Sequence, residues 1–200
     1  MTVTVETYDR CMGRWEPNAS GRLQQAAIEL YSARGFDQTT VAEIAARAGL
    51  TERTFFRHFA DKREVLFWGE NTLHELLVVG VAAAPESASP IDAFAASLKP
   101  AVTSYFERRS REQARQRNAV IAANAELCER ELIKLSRLAS GVADALRRRG
   151  VTEPAASLAA EAGVAVFKVA VARWVDGTDD RDLSEHIDES LAELKALTRG

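Results

Sequence analysis

The chain predicts an all-α fold, and three observations carry that reading. Ala, Leu, Glu and Arg abound, while the strict apolar–polar alternation of strands is scarce. Cap residues, Gly and Pro punctuate the sequence at helix-length intervals. Hydrophobic residues are 46% and charged residues 28% of 200, an ordinary balance for a globular chain with a sizeable core.

Each element can be justified in order. Ser20 is placed to cap SGRLQQAAIELYSARGF, with Leu23, Ala27, Leu30 and Tyr31 on one face and Gly35 as the stop. Thr40 caps the next helix, and Glu43 three residues on completes a capping box. Val41, Ile44, Ala45 and Ala48 line its inner face, and Gly49 makes the turn. Thr51 caps the short TERTFFRHF, and Asp61 caps a longer helix, DKREVLFWGENTLHELLVVGVAAA. APESASP, from Ala84 to Pro90, is a loop by composition. Three helices follow: IDAFAASLKPAVTSYFERRSR with a kink expected at Pro100, EQARQRNAVIAANAEL, and CERELIKLSRLASGVADALRRRG ending at Gly150. Glu153 and Pro154 open an Ala/Val-rich helix to Val175, a turn spans Asp176 to Asp180, and the last helix runs from Asp182 to Thr198. No internal repeat is present. Residues 1–19 read as a disordered tail, with Arg10 and Arg14 as a conceivable minor-groove arm.

The organisation that follows is a tail (1–19), a helix-turn-helix unit (20–65) and a larger helical domain (66–200). Net charge is −3, but its distribution is uneven. Residues 20–63 carry seven Lys/Arg against five acids; 64–98 carry no base and five acids. Residues 99–150 carry twelve bases against six acids, and 151–200 five against ten. Screening over about 8–10 Å lets a local basic surface hold phosphates despite distant acids.

The stretch from Thr39 to Leu66 explains its own oddity, a helix too short to be useful except as a reader. A major groove about 12 Å wide needs only a couple of turns and one solvated face. Leu50, Phe55 and Phe59 are spaced to anchor the helix, which leaves Glu52, Arg53, Arg57 and His58 outward. Gly35-Phe36, Thr39-Thr40-Val41, Ile44-Ala45, Ala48-Gly49-Leu50-Thr51, Thr54-Phe55-Phe56, His58-Phe59, Lys62 and Leu66 together resemble the TetR family of transcriptional regulators. The resemblance covers residues 20–66; the rest matches in architecture and length only.

The resemblance implies roles. Thr39 and Thr40, at the start of the first helix of the motif, and Thr51, at the start of the second, are expected among the DNA-contacting residues; Thr40 and Lys62 fall at phosphate-contacting positions. Glu52 and Arg53, behind Thr51, fall where the family reads base edges. Thr54, Phe56 and His58 fall where it meets backbone and thymine methyls. The family commonly has Tyr where this chain has Phe56, so Arg57 is the candidate to replace the lost phosphate contact.

In the larger domain, Trp68, Phe94, Tyr105, Phe106, Phe167 and Trp174 are cavity candidates, although each also suits plain core. Arg117 and Asn118 are placed to form the polar end for an amphipathic, anionic effector, with Ile121 beginning the mostly apolar later turns of the same helix as a further lining candidate. The run from Glu107 to Arg117 also reads as a solvated helix face, and His74 and His186 as helix-surface residues. Ala159, Ala162, Gly163, Val166 and Ala170 on one helix, with Leu183, Ile187, Leu191 and Leu194 on the last, are expected to form a two-fold four-helix interface.

Several classes are unsupported. Cys11 and Cys128 are far apart with no CxxC and no neighbouring His, so neither a disulfide framework nor a metal site is expected, and a reducing cytoplasm fits. No Gly-rich phosphate loop, HExxH or GxSxG appears, so no catalytic residue and no cofactor is assigned. No basic, apolar leader and no run of 18 apolar residues is seen, so no membrane partner is expected. The expected partners are double-stranded DNA with a near-palindromic operator, a small effector and a second copy of the chain. The alternative is a non-catalytic ligand sensor or protein-binding module that keeps the helix-turn-helix as scaffold.

Overall fold

The computed structural model describes residues 18–106 and 110–198. The expected tail lies almost wholly outside these residues, as do Arg10, Arg14 and residues 107–109. The described chain is all-α: α1 (Ala19–Arg34), α2 (Val41–Arg47), α3 (Glu52–His58), a 3₁₀ turn (Glu64–Phe67), α4 (Glu70–Ala83), α5 (Pro90–Phe106), α6 (Arg111–Ala122), α7 (Ala125–Arg148), α8 (Ala155–Asp176) and α9 (Leu183–Leu197).

Local chemistry explains where the boundaries depart from expectation. Asn18, not Ser20, caps α1, accepting from the Gly21 amide at 3.2 Å. The long helix expected from Asp61 breaks. Asp61 closes only the turn that leads into the 3₁₀ segment, accepting from the amides of Arg63 (2.8 Å) and Glu64 (3.2 Å). The carbonyl of Leu66 is taken by side chains, Arg117 at 2.8 Å and Gln24 at 3.3 Å, and Gly69 then turns the backbone at φ 86°. Pro100 does not interrupt α5; it and Ala96 are exposed, so the carbonyl that loses its partner faces solvent. The break between α6 and α7 falls at Asn124, which accepts from the amides of Glu126 and Leu127.

Two hydrophobic cores result. The first holds α1, α2, α3 and the 3₁₀ turn, and is completed by Val120 and Ile121 of α6 and Leu127 of α7. The second lies among α4, α5, α7, α8 and α9. Phe94, a cavity candidate, is instead core: a Cβ at Gly163 would fall 2.6 Å from its ring, so only glycine lets α5 and α8 meet there. His74 likewise packs on Gly141, and His186 is 1% exposed rather than on the surface.

The residues expected at a subunit interface divide. Gly163, Val166, Ala170, Leu183 and Ile187 are buried within the protomer, because α9 and α5 fold over that face of α8. Ala159, Ala162, Leu191 and Leu194 are half-buried. The open apolar stripe of α8 is rotated from the expected one and runs Leu158, Ala162, Ala165, Val169, with Leu158 64% and Val169 50% exposed.

Candidate functional site

The helix-turn-helix is built by its caps. Thr40 and Glu43 form the capping box of α2. The helix ends in a full Schellman motif: Gly49 (φ 67°) donates to Ala46 O at 3.0 Å and Leu50 donates to Ala45 O at 2.8 Å. Thr51 caps α3, accepting from the Thr54 amide at 3.2 Å. Phe55 and Phe59 are buried, fixing the orientation of α3. Its other side is bare: Glu52, Arg53 and Arg57 are exposed with no side-chain partner, and Phe56 is 56% exposed. His58 is exposed too, with Nδ1 3.1 Å from Ser20 Oγ. Thr54 is half-buried, its hydroxyl 3.1 Å from that of Thr51.

Two expected contact residues are otherwise engaged. Thr39 is 1% exposed and donates to Gly35 O at 2.9 Å; it closes the α1–α2 turn and offers nothing outward. Lys62 Nζ donates to Phe36 O (2.9 Å) and Thr39 O (3.1 Å) and lies 4.3 Å over the Phe36 ring. That ammonium clamps the turn preceding Thr40 instead of pointing at a phosphate. Tyr31 ties down the same corner by donating to Lys62 O at 2.6 Å.

A cavity of about 1190 Å³ lies between the two cores. Trp68, Tyr105, Phe106 and Phe167 line it, as do Arg117, Asn118 and Ile121 of α6. Trp174 does not line it; it packs edge-on to Phe106 (5.4 Å), with Arg111 over its ring. Arg117 is not a free anion-binding group. Its Nη2 lies 2.8 Å from Glu70 Oε1 and 3.0 Å from Glu131 Oε2. Burial opposes its charge, but the carboxylates of Glu131 and Glu70 outweigh burial and hold it protonated. Burial pushes the Glu70 carboxyl up to about 7, while Arg117 pulls it the other way. Glu64 joins the cluster through Arg130 (2.6 Å) and Lys134 (3.5 Å), and both Arg117 and Lys134 sit 5.3 Å from the Phe67 ring.

Three sets of lining residues went unread in the sequence. Arg137 of α7 and Lys168 of α8 line the cavity, are exposed and carry no carboxylate partner. Arg137 is one of several bases along α7 and Lys168 one of two on α8, so nothing in the sequence singles them out. The third set is a face of α1, Asn18, Gly21, Arg22 and Gln25, whose polar spacing reads as an ordinary solvated side. Among the described residues no cluster of His, Cys, Asp and Glu is disposed to hold a metal ion.

Comparison with known proteins agrees with this geometry. Residues 23–67 match the family model described as bacterial regulatory proteins, tetR family, and residues 88–199 match that of the MftR C-terminal domain. The regulator TcmR of Streptomyces glaucescens is 33% identical over 78 residues, 39% of this chain and 34% of TcmR. The transcriptional regulator MftR of Mycobacterium tuberculosis is 34% identical over 67 residues, 34% of this chain and 33% of MftR. The matched stretch thus spans about a third of either relative. Among solved structures, Thermus thermophilus FadR, a repressor in complex with lauroyl-CoA, has a TM-score of 0.50 and 23% identity over 88% of this chain and 93% of that one. That likeness concerns the fold.

The clamp made by Lys62 has a measurable consequence. Lys62→Ala is expected to lower the unfolding free energy by about 1–3 kcal/mol, the usual cost of deleting hydrogen bonds from a charged donor. Urea denaturation reads this directly. Unchanged stability would mean that the ammonium is free, as a phosphate contact requires.

Proposed function

The chain belongs to the TetR family of bacterial regulatory proteins, and on that footing we propose that it is a dimeric transcriptional repressor whose near-palindromic operator is released when an amphipathic, anionic effector fills the cavity. The observation that carries the reading is the contrast between the two sides of α3. One side is sealed by Phe55 and Phe59; the other presents Glu52, Arg53 and Arg57 with no partner. A protein has little reason to hold such a helix rigid and bare unless that side meets something. Arg in this position reads guanine in the major groove by a bidentate hydrogen bond. Phe56 adds an apolar contact, and Thr40, Thr51, Thr54, Arg57 and His58 face the flanking backbone.

A single seven-residue helix contacts too few base pairs for specificity, so two are needed, and two-fold symmetry makes the operator a near-palindrome. The stripe Leu158, Ala162, Ala165, Val169, with Leu191 and Leu194 of α9, supplies a self-complementary apolar face for the second copy. The effector class follows from the cavity. Leu73, Leu135 and Leu138 line it alongside the aromatic residues, while Arg137 and Lys168 are its uncompensated cations. An anionic head therefore belongs at Arg137 and Lys168 and not at Arg117, whose charge is already met. The family member solved with lauroyl-CoA accommodates a ligand of that polarity, an acyl chain carrying a polyanionic head. Release requires that the ligand bind the DNA-incompetent state more tightly; couplings of about 1–3 kcal/mol are typical.

Three outcomes are expected. Arg53→Ala should cost about 1–3 kcal/mol of operator binding and relax preference at one position per half-site, as read by gel shift on a panel of single-base operator variants. Equal weakening on every variant would remove Arg53 from base reading. Val169→Glu should give monomers in light scattering and lose operator binding, because a charge in a closely packed apolar interface has no partner. A dimeric variant would move the interface elsewhere. The double variant Arg137→Glu with Lys168→Glu should weaken lauroyl-CoA by at least about tenfold in calorimetry, the loss of two charge-assisted contacts of roughly 1.5–3 kcal/mol each. Retained affinity would sink the anionic-head assignment and leave the regulator reading intact.

A further inference from the structure

We propose that α1 is the partition between the cavity and the recognition helix, and that a ligand filling the cavity releases DNA by pressing on the first turns of α1. This rests on the effector reading of the cavity and adds the route by which filling it is felt.

The cavity is not confined to the regulatory half. Its lining includes Asn18, Gly21, Arg22, Gln24, Gln25 and Ile28, all on or capping α1. Positions 18, 21, 22, 25 and 28 recur at three- and four-residue steps, which is one continuous face of a helix over three turns. The opposite face carries Leu23, Ala27 and Tyr31, each no more than 3% exposed, and it packs on α2 and α3. The wall between ligand space and the helix-turn-helix is therefore a single helix, about 10–12 Å across with its side chains.

That wall is tied on both sides. Toward the helix-turn-helix, Ser20 Oγ meets His58 Nδ1 at the end of α3, and Arg22 donates to the carbonyl of Ala48 at the end of α2. The turn passes closely over Arg22: a Cβ at Gly49 would fall 2.8 Å from its Nη2. Toward the cavity, Gln113 Nε2 of α6 donates to Gln25 Oε1 at 2.8 Å, while Gln24 Nε2 ties α1 to the 3₁₀ turn by donating to Val65 O at 3.2 Å. Arg22 belongs to both sides, lining the cavity and holding the turn between α2 and α3. A ligand that displaces this side chain, or shifts the first turns of α1, moves the end of α2 and the end of α3 together. The backbone leading to α4 breaks at Gly69, so it is not one continuous rod from α3 into the cavity.

A tethered plug tests this without knowledge of the natural ligand. On a full-length Cys11→Ser, Cys128→Ser background, Gln25→Cys on the α1 wall, Asn118→Cys on the α6 wall beside it and Ala172→Cys on the α8 wall are each alkylated with N-cyclohexylmaleimide. Operator affinity of each adduct is compared with its own unmodified variant by fluorescence anisotropy, with melting by circular dichroism as the folding check. The adducts at Gln25 and Asn118 should each weaken operator binding by at least about tenfold, within the usual range of allosteric couplings. The Ala172 adduct should do so by several-fold less. Tight operator binding by folded Gln25 and Asn118 adducts would overturn the proposal; if one adduct fails to fold, the other decides. An equal loss at Ala172 would also overturn it, since bulk anywhere in the cavity would then suffice. Failure of the unmodified background to bind any operator would instead defeat the regulator reading itself.

Discussion

A helix of seven residues does not hold itself together in water; nucleation costs more than so few hydrogen bonds return. The recognition helix therefore exists only because Phe55 and Phe59 are buried. Everything needed to bury them shapes the rest of the molecule. The four elements of the N-terminal unit supply Leu23, Ile44, Leu66 and their neighbours, and the core is closed by Val120, Ile121 and Leu127 from α6 and α7. The DNA-reading unit is thus not an independent body joined by a tether. Part of its core belongs to the helices that line the cavity, and Ile121 does both.

The electrostatics of the junction serve register more than net stability. Glu64, Glu70 and Glu131 face Arg117, Arg130 and Lys134 around the ring of Phe67. Desolvation offsets much of the attraction in such a cluster, but a displaced member leaves a buried charge uncompensated, so the arrangement resists sliding. Glu70 makes it pH-sensitive. Its carboxyl is raised to about 7 by burial, above the ordinary carboxylate range. The stabilisation linked to that proton is full below the ordinary range and is lost as pH rises through about 7, so the junction is weakest on the alkaline side.

Much of the fold was legible because its determinants are local. The capping box of Thr40 and Glu43, the cap at Thr51 and the turn at Gly49 need only neighbouring residues, and all are as the sequence reads. What was not legible depends on partners far along the chain. Lys62 looks like a free cation until Phe36 and Thr39 fold beneath it. The helix through Trp68 is plausible until Arg117, fifty-one residues later, takes the Leu66 carbonyl. Phe94 and Phe106 are both aromatic residues on α5, yet only the second reaches the cavity, because Gly163 admits the first into the α8 surface. The pattern of Leu183 and Ile187 does show an apolar face. Whether the protomer or a second copy covers it is a question of packing phase that no single helix encodes.

The recognition helix is held by a core that α6 and α7 complete. Native-state hydrogen exchange with Ile121→Ala tests it most directly, since truncating a buried Ile in α6 typically costs about 2–5 kcal/mol at the place it packs. Exchange at the Phe59 amide, bonded to Phe55 O at 2.9 Å in α3, is predicted to accelerate more than exchange at Val142 in the second core. Acceleration at Val142 with Phe59 unchanged, or an equal effect at both, would contradict the account.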